Sequence, residues 1–350
     1  MRRSRLVIAP MAALVFAVAV VVGAPVAGAA LPPRISYDTN KGALRAAALD
    51  GVVTASWANR SPYQSMSGGV VAAARPTAGG GSKMIGTDAV TGTALFTIRD
   101  AFFPLISGRG TRVVFLPDGN AAGAGDRDPT INSVWFNDVA AGTDRRLIRF
   151  TDSDRIPLNL AISSSGRRVA VTHGNDQDLF AWDIWTARTD RHRVRRLTTD
   201  GNSLYPSFNP AGTRIAFTKK DGQRSCTGSI WVMGVDGSHP RRVAPATCTR
   251  ALLRPVWLDP KTLVAWSWRP HSVRGLVKID LASGTTSPLI VGKVVDYSVS
   301  RALGQMAVRF RDGSISLVDL GSEPAVVTPL PGTQPKGFRV FLSGALELAY

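Results

Sequence analysis

Leu204 to Gly222, LYPSFNPAGTRIAFTKKDG, followed after a polar gap by Ser229 to Ala244, SIWVMGVDGSHPRRVA, is the stretch whose reading decides the fold. It contains four short runs that suit strands: PSFN, RIAFTK, SIWVMGV and PRRVA. A Pro-Ala-Gly turn, a longer polar loop and an Asp-Gly turn separate them, which is the punctuation of a four-stranded antiparallel meander. The preceding stretch repeats the design as LNLAISSSGRRVAVTHG (Leu158–Gly174) and DIWTARTDRHRVRRLT (Asp183–Thr198). Laying Ile184-Trp185 on Ile230-Trp231 puts Asp190 on Asp236 and Arg195-Arg196 on Arg241-Arg242, a register too long for coincidence.

From these two units the turn after the third strand can be followed along the chain as an Asp that closes a β-rich run, usually with Gly soon after. It is read at Asp38, Asp88, Asp138, Asp190, Asp236, Asp280 and Asp319, at intervals of 50, 50, 52, 46, 44 and 39 residues. The turn between strands one and two is read near Gly69, Gly110, Gly166, Gly212, Pro260, Gly304 and Gly344. Such periods, with four strands in each, predict an all-β fold, a seven-bladed β-propeller of four-stranded blades, with six blades as the alternative count. In this register the chain opens with strands three and four of a blade (RISYD, ALRAAAL) and closes with strands one and two (FRVFL, ALELAY). One blade is then shared between the N- and C-termini, which closes the ring and leaves no long free sheet edge. The repeated Asp is assigned to local chemistry: its carboxylate accepts bonds from turn N–H groups while Gly supplies positive φ.

Ahead of the repeat, MRRSR and the apolar run LVIAPMAALVFAVAVVVGAPVAGAA end in an A-x-A site at Ala27 to Ala29. Residues 1–30 are read as a signal peptide and 31–350 as a single propeller domain. An uncleaved anchor is the alternative, because Leu6 to Ala30 carries no charge and is long enough to cross a bilayer. The chain is therefore expected to be exported: secreted, periplasmic or at the cell surface. In an oxidising compartment Cys226 and Cys248 are expected to form a disulfide, stabilising the fold by about 3 kcal/mol. The map puts Cys226 in a loop between strands two and three and Cys248 in the connection leaving the same blade, and both connections emerge on one face.

The block from Arg195 to Ala244 resembles the TolB-type β-propeller repeat, a WD-like relative found in bacterial envelope proteins and in the propeller domains of some peptidases. The resemblance implies a bacterial, exported propeller and transfers no ligand residues. Two features depart from the TolB protein: no further domain precedes the propeller, and seven blades are counted where TolB has six.

Chemistry is sparse. The nucleophile elbow G-x-S-x-G that propeller peptidases carry on an appended domain is missing, as is H-E-x-x-H. His192 and His239 fall in third-strand turns. His173 and His271 are placed in strand-two-to-three loops, where a shared metal site is the alternative to ordinary surface residues. Pro117 to Pro129, PDGNAAGAGDRDP, departs from EF-hand spacing because Ala122 stands where an oxygen ligand is needed. No cofactor and no metal are expected.

The formal charge is +17, from 42 Lys+Arg against 25 Asp+Glu, and removal of Arg2, Arg3 and Arg5 with the leader leaves +14. That excess favours an anionic partner: an acidic envelope or secreted protein, a wall polymer or an anionic lipid surface, with nucleic acid not expected. Some of it, at Arg145-Arg146, Arg195-Arg196 and Arg241-Arg242, falls on outermost strands, where charge blocks edge-to-edge pairing. Trp135, Trp185 and Trp231 share a register on third strands and are assigned to packing between blades. Trp266, Trp268, Arg269 and His271 form the densest aromatic and cationic group, and are the candidate binding surface. Together these readings lead to the expectation of a monomeric, non-catalytic protein-binding or scaffold propeller. The alternative is a propeller hydrolase or lyase with a dispersed site at the channel mouth.

Overall fold

The computed structural model describes residues 34–38, 43–50, 52–58, 64–78, 81–118, 132–151, 156–174, 181–191, 193–220, 228–247, 250–268, 275–301, 303–322, 324–330 and 340–343. Residues 1–30, Cys226, Cys248, His192, Arg269, His271, Gly344 and residues 119–131 lie outside the described residues.

Three strands come first: β1 (Arg34–Asp38), β2 (Leu44–Ala48) and β3 (Val53–Trp57). Blade 1 is β4 (Gln64–Ser67), β5 (Val70–Pro76), β6 (Ser82–Asp88) and β7 (Ala94–Arg99). Blade 2 is β8 (Ala101–Ile106), β9 (Arg112–Pro117), β10 (Ser133–Asp138) and β11 (Thr143–Arg149). Blade 3 is β12 (Ile156–Ile162), β13 (Arg168–Gly174), β14 (Asp183–Arg188) and β15 (Val194–Arg196). Blade 4 is β16 (Ser203–Phe208), β17 (Arg214–Lys220), β18 (Gly228–Gly234) and β19 (Arg241–Ala244). Blade 5 is β20 (Ala251–Trp257), β21 (Thr262–Trp268), β22 (Gly275–Asp280) and β23 (Thr286–Val291). Blade 6 is β24 (Val294–Ser300), β25 (Gln305–Phe310), β26 (Ile315–Asp319) and β27 (Val327–Pro329), and β28 (Val340–Ser343) follows. The seven sheets form a ring of antiparallel meanders, with the first strand of each blade innermost.

The seventh blade has the order β28-β1-β2-β3. It joins the two ends of the chain, but among the described strands three come from the N-terminal end and a single strand, β28, from the C-terminal end, where two and two were expected. In register, β1 pairs Arg34 to Tyr37 with Ser343 to Val340. Asp38 therefore ends a second strand, not a third. The third-strand turn of this blade holds Asp50, whose Oδ1 accepts the Val52 N–H at 3.0 Å. The Asp50-Gly51 pair carried the signal, and the error arose because Asp38 also closes a β-rich run.

Apolar side chains on both faces of each blade dictate the ring. Along β18, Ile230 and Val232 pack toward blade 5 while Trp231 and Met233 pack toward blade 3. This is why SIWVMGV reads as a continuous apolar run and not as an alternation. The buried residues form seven clusters, one in each gap between neighbouring blades. Trp135, Trp185 and Trp231 pack into three consecutive gaps, and Trp135 and Trp231 donate Nε1–H to Ser133 and Ser229 at 3.0 and 2.9 Å. Trp257, fully buried between blades 4 and 5, donates to the Ser207 carbonyl of the preceding blade at 3.0 Å. Arginines stitch further gaps. Arg214 donates to the Pro260 carbonyl at 2.6 Å, and Arg241 to that of Leu281 at 3.4 Å.

Six of the seven third-strand turns are closed by their Asp accepting backbone N–H groups, as Asp280 does from Ala282 at 3.0 Å and Ser283 at 2.7 Å. Asp190 departs from the pattern, forming a two-point bond with Arg188 at 2.8 and 2.6 Å. Gly237, at φ 82°, provides the left-handed residue of the blade 4 turn. The Ser238 hydroxyl holds the Asp236 carboxyl below its ordinary range, and the Ser283 N–H does the same for Asp280. A carboxyl whose affinity for protons is lower in the folded state contributes stability above its unfolded pKa and loses that contribution as pH falls through the folded value. The melting temperature is thus expected to hold from neutral pH to about 5 and to fall below about pH 4. Thermal unfolding of the Asp236→Ser/Asp280→Ser double variant should show a lower melting temperature at neutral pH and a shallower fall in acid. In the same assay Trp257→Ala is expected to cost about 3–5 kcal/mol, since it leaves a cavity between two blades.

Candidate channel-mouth site

Inner strands line the channel, and four consecutive ones share an irregularity. The ladder slips between Phe102 and Leu105 in β8, Leu158 and Ala161 in β12, Leu204 and Ser207 in β16, and Leu253 and Val256 in β20. At each slip one non-glycine residue has a left-handed backbone: Phe103 (φ 56°), Asn159 (46°), Tyr205 (54°) and Arg254 (53°). Three of them precede a proline, Pro104, Pro206 or Pro255, which has no N–H to give to a ladder and so sits naturally in a bulge. Left-handed backbone at large side chains costs free energy and persists only where the surroundings impose it. The result is a set of corresponding bulges on the inner strands of blades 2 to 5 that carry an aromatic ring, an amide, a phenol and a guanidinium, all half-buried, with Phe103 packed against the cluster between blades 2 and 3.

Arg254 is the best defined of the four. Its backbone N–H donates to Thr218 Oγ1 of blade 4 at 3.1 Å, and the hydroxyl of Tyr297 from blade 6 donates to its carbonyl. These two bonds clamp the bulge from both neighbouring blades. The guanidinium lies 4.6 Å from the Trp266 ring centre and pairs with Asp296 of blade 6 at 3.3 Å. Asp296 is buried, whereas the Arg254 side chain keeps 30% exposure. Burial pushes the Tyr297 hydroxyl far above its ordinary pKa, so it stays protonated and serves to position Arg254. The Trp266 Nε1–H is buried without a hydrogen-bond partner among the described residues. A cation fixed from behind by a buried acid, flanked by an indole and open on one side can receive a carboxylate or another oxyanion.

Of the sequence-derived binding surface, Trp266 and Trp268 lie two residues apart on β21, and Trp266 belongs to this site. Arg254, Asp296 and Tyr297 were missed. Their signal was the X-Pro pair that recurs inside inner strands (FFPLI, LYPSF, LRPVW), which reads as ordinary turn chemistry until the bulges are seen. His173 is not in a loop as expected. It lies on β13, 2% exposed and stacked on Phe150 with ring centres 3.6 Å apart, so it belongs to the core. His239 is exposed in the β18–β19 turn, on the opposite face.

No family model and no curated protein matches the sequence. Among solved structures, the tricorn protease is similar with a TM-score of 0.65 at 13% identity, covering 89% of this chain. The chain spans only 34% of the tricorn protease chain. An oligogalacturonate lyase in complex with manganese is similar with a TM-score of 0.59 at 12% identity, covering 85% of each chain. TolB from Acinetobacter baumannii is similar with a TM-score of 0.54 at 14% identity, covering 80% of this chain and 67% of that one. At these identities the likeness establishes the fold alone. It does correct one expectation: the non-catalytic scaffold rested on the want of an appended hydrolase domain, and a lyase matched over 85% of its own chain shows that a propeller of this kind can be an enzyme without one. The fold is the TolB-type seven-bladed β-propeller.

Proposed function

We propose that this chain is a propeller enzyme, a lyase or hydrolase acting on a carboxylate-bearing oligosaccharide at the channel mouth, with Arg254 holding the substrate carboxylate. The observation that carries the reading is the half-open guanidinium of Arg254, locked by Asp296 and Trp266 on a strained inner strand. In an elimination, a base takes the proton next to the carboxylate, the glycosidic oxygen departs with its bonding electrons, and a carbon–carbon double bond forms. Negative charge builds on the carboxylate along the way. A preorganised guanidinium in a partly dry site stabilises that charge more in the transition state than in the bound substrate. Trp266 offers a flat apolar wall for a sugar ring, and Asn159 and Tyr205 at the corresponding bulges can meet its hydroxyls.

The solved lyase holds manganese. Among the described residues of this chain no three His, Cys, Asp or Glu side chains converge, so these residues do not fit a metal site. The roles assigned to Arg254, Asp296 and Trp266 are independent of any metal.

Incubation with oligogalacturonate is expected to yield a product with the ultraviolet absorbance of a conjugated double bond, or saturated fragments if the reaction is hydrolytic. Arg254→Ala should lower kcat/KM by about 100-fold or more, with Arg254→Lys between. An unchanged rate in both variants, or no turnover of any uronate substrate by the parent chain, would sink the reading. The same variant leaves buried Asp296 without its guanidinium and is expected to cost about 1–3 kcal/mol in thermal unfolding. We infer also that the protein works outside the cytoplasm, on the strength of the leader at Met1 to Ala30. The intact mass of the chain recovered after export should lack those residues, whereas a retained leader would indicate an anchored form.

A further inference from the structure

The outer strands differ in charge from one side of the ring to the other. β11, β15 and β19, in blades 2, 3 and 4, carry seven arginines and one aspartate. β3, β7, β23 and β27, the outer strands of the other four blades, carry Arg99 and no other cation. Protection of sheet edges does not explain this, because all seven outer strands are edges and these four leave Val53, Leu95, Val291 and Val327 exposed. Structural contacts account for some of these arginines only. Within blade 3, Arg196 is held by buried Asp183 at 2.6 Å, and Arg241 reaches the Leu281 carbonyl of blade 5 at 3.4 Å. The side chains of Arg146, Arg195 and Arg242 hydrogen-bond to no described group. Arg146 and Arg242 occupy matching places, each paired across strands with a third-strand tryptophan, Trp135 or Trp231. Arg195 sits on the face of blade 3 that looks toward Arg242, and exposed Arg191 and Arg193 continue the strip around the β14–β15 turn.

We propose that this arginine strip on the outer rim of blades 2 to 4 is a docking surface for a flexible, carboxylated linear polysaccharide. The guanidinium fork matches a carboxylate in two-point geometry, and the cations recur from blade to blade as charges recur along such a polymer. The rim is convex, so a flexible chain can follow it across three blades, whereas a planar bilayer touches a convex edge over a short arc only. Val194 is the one exposed large apolar side chain on these three strands, which leaves little to insert into lipid. Rim and inner strands lie at opposite edges of the same sheets, so docking does not depend on turnover at Arg254.

Titration of the full chain with polygalacturonate, followed by affinity electrophoresis, tests the proposal. Arg146→Ser/Arg195→Ser/Arg242→Ser is expected to weaken binding by about tenfold, and a triple variant of equal charge elsewhere, Lys83→Ser/Arg99→Ser/Lys261→Ser, by less than about twofold. The melting temperature verifies that each variant is folded. If the rim triple fails to fold, Arg242→Ser alone is expected to weaken binding by about twofold and the control residues singly to leave it unchanged. Equal loss in rim and control variants overturns the proposal, as does unchanged binding in the rim variant. Tighter binding of anionic phospholipid vesicles or of an acidic protein than of polygalacturonate overturns it as well.

Discussion

A four-stranded blade that is apolar on both faces has no stable existence alone, and this constraint organises the rest of the molecule. Each blade needs a neighbour on either side, and only a closed ring supplies one to every blade. The seven inter-blade clusters are the visible result. Closure in turn needs the chain ends to meet, and β1 to β3 with β28 accomplish this within one sheet. Polar stitches then fix the gaps. Tryptophan and arginine side chains reach carbonyls of the adjacent blade: Trp257 satisfies a Ser207 carbonyl that is buried, and Arg214 reaches the exposed carbonyl of Pro260.

Once closure is secured by the gaps, inner and outer strands are free to diverge from the repeat. The inner strands use this freedom in corresponding bulges at Phe103, Asn159, Tyr205 and Arg254. Arg254 is held by groups from three blades: Thr218, Trp266 and the Asp296-Tyr297 pair. A site assembled this way is rigid because moving it would require two inter-blade gaps to shift together. The outer strands diverge in charge instead, with arginines concentrated on blades 2 to 4. Fold and candidate chemistry are thus carried by different strands of the same blade, in keeping with the rule that one fold can host different functions.

Local turn chemistry, a period of about 40 to 50 residues and continuous apolar runs were enough to read the all-β class, the blade count and the sharing of one blade between the ends. They gave the wrong register for the closing blade, with Asp38 read as the end of its third strand. Asp38 and Asp50 both follow β-rich runs, and only the pairing of β1 with β28 shows that Asp50 closes the third strand. They also left His173 in a loop, because a polar residue at a strand end reads the same whether it meets water or the Phe150 ring.

The sequence by itself determined what depends on neighbours in the chain: where strands turn, how often, and that both strand faces are apolar. Tertiary structure alone decided what depends on neighbours in space. Arg254 and Asp296 are separated by a whole blade of sequence, and no spacing rule relates them. Their pairing exists because ring closure sets one inner strand beside the next, at a level fixed by a bulge.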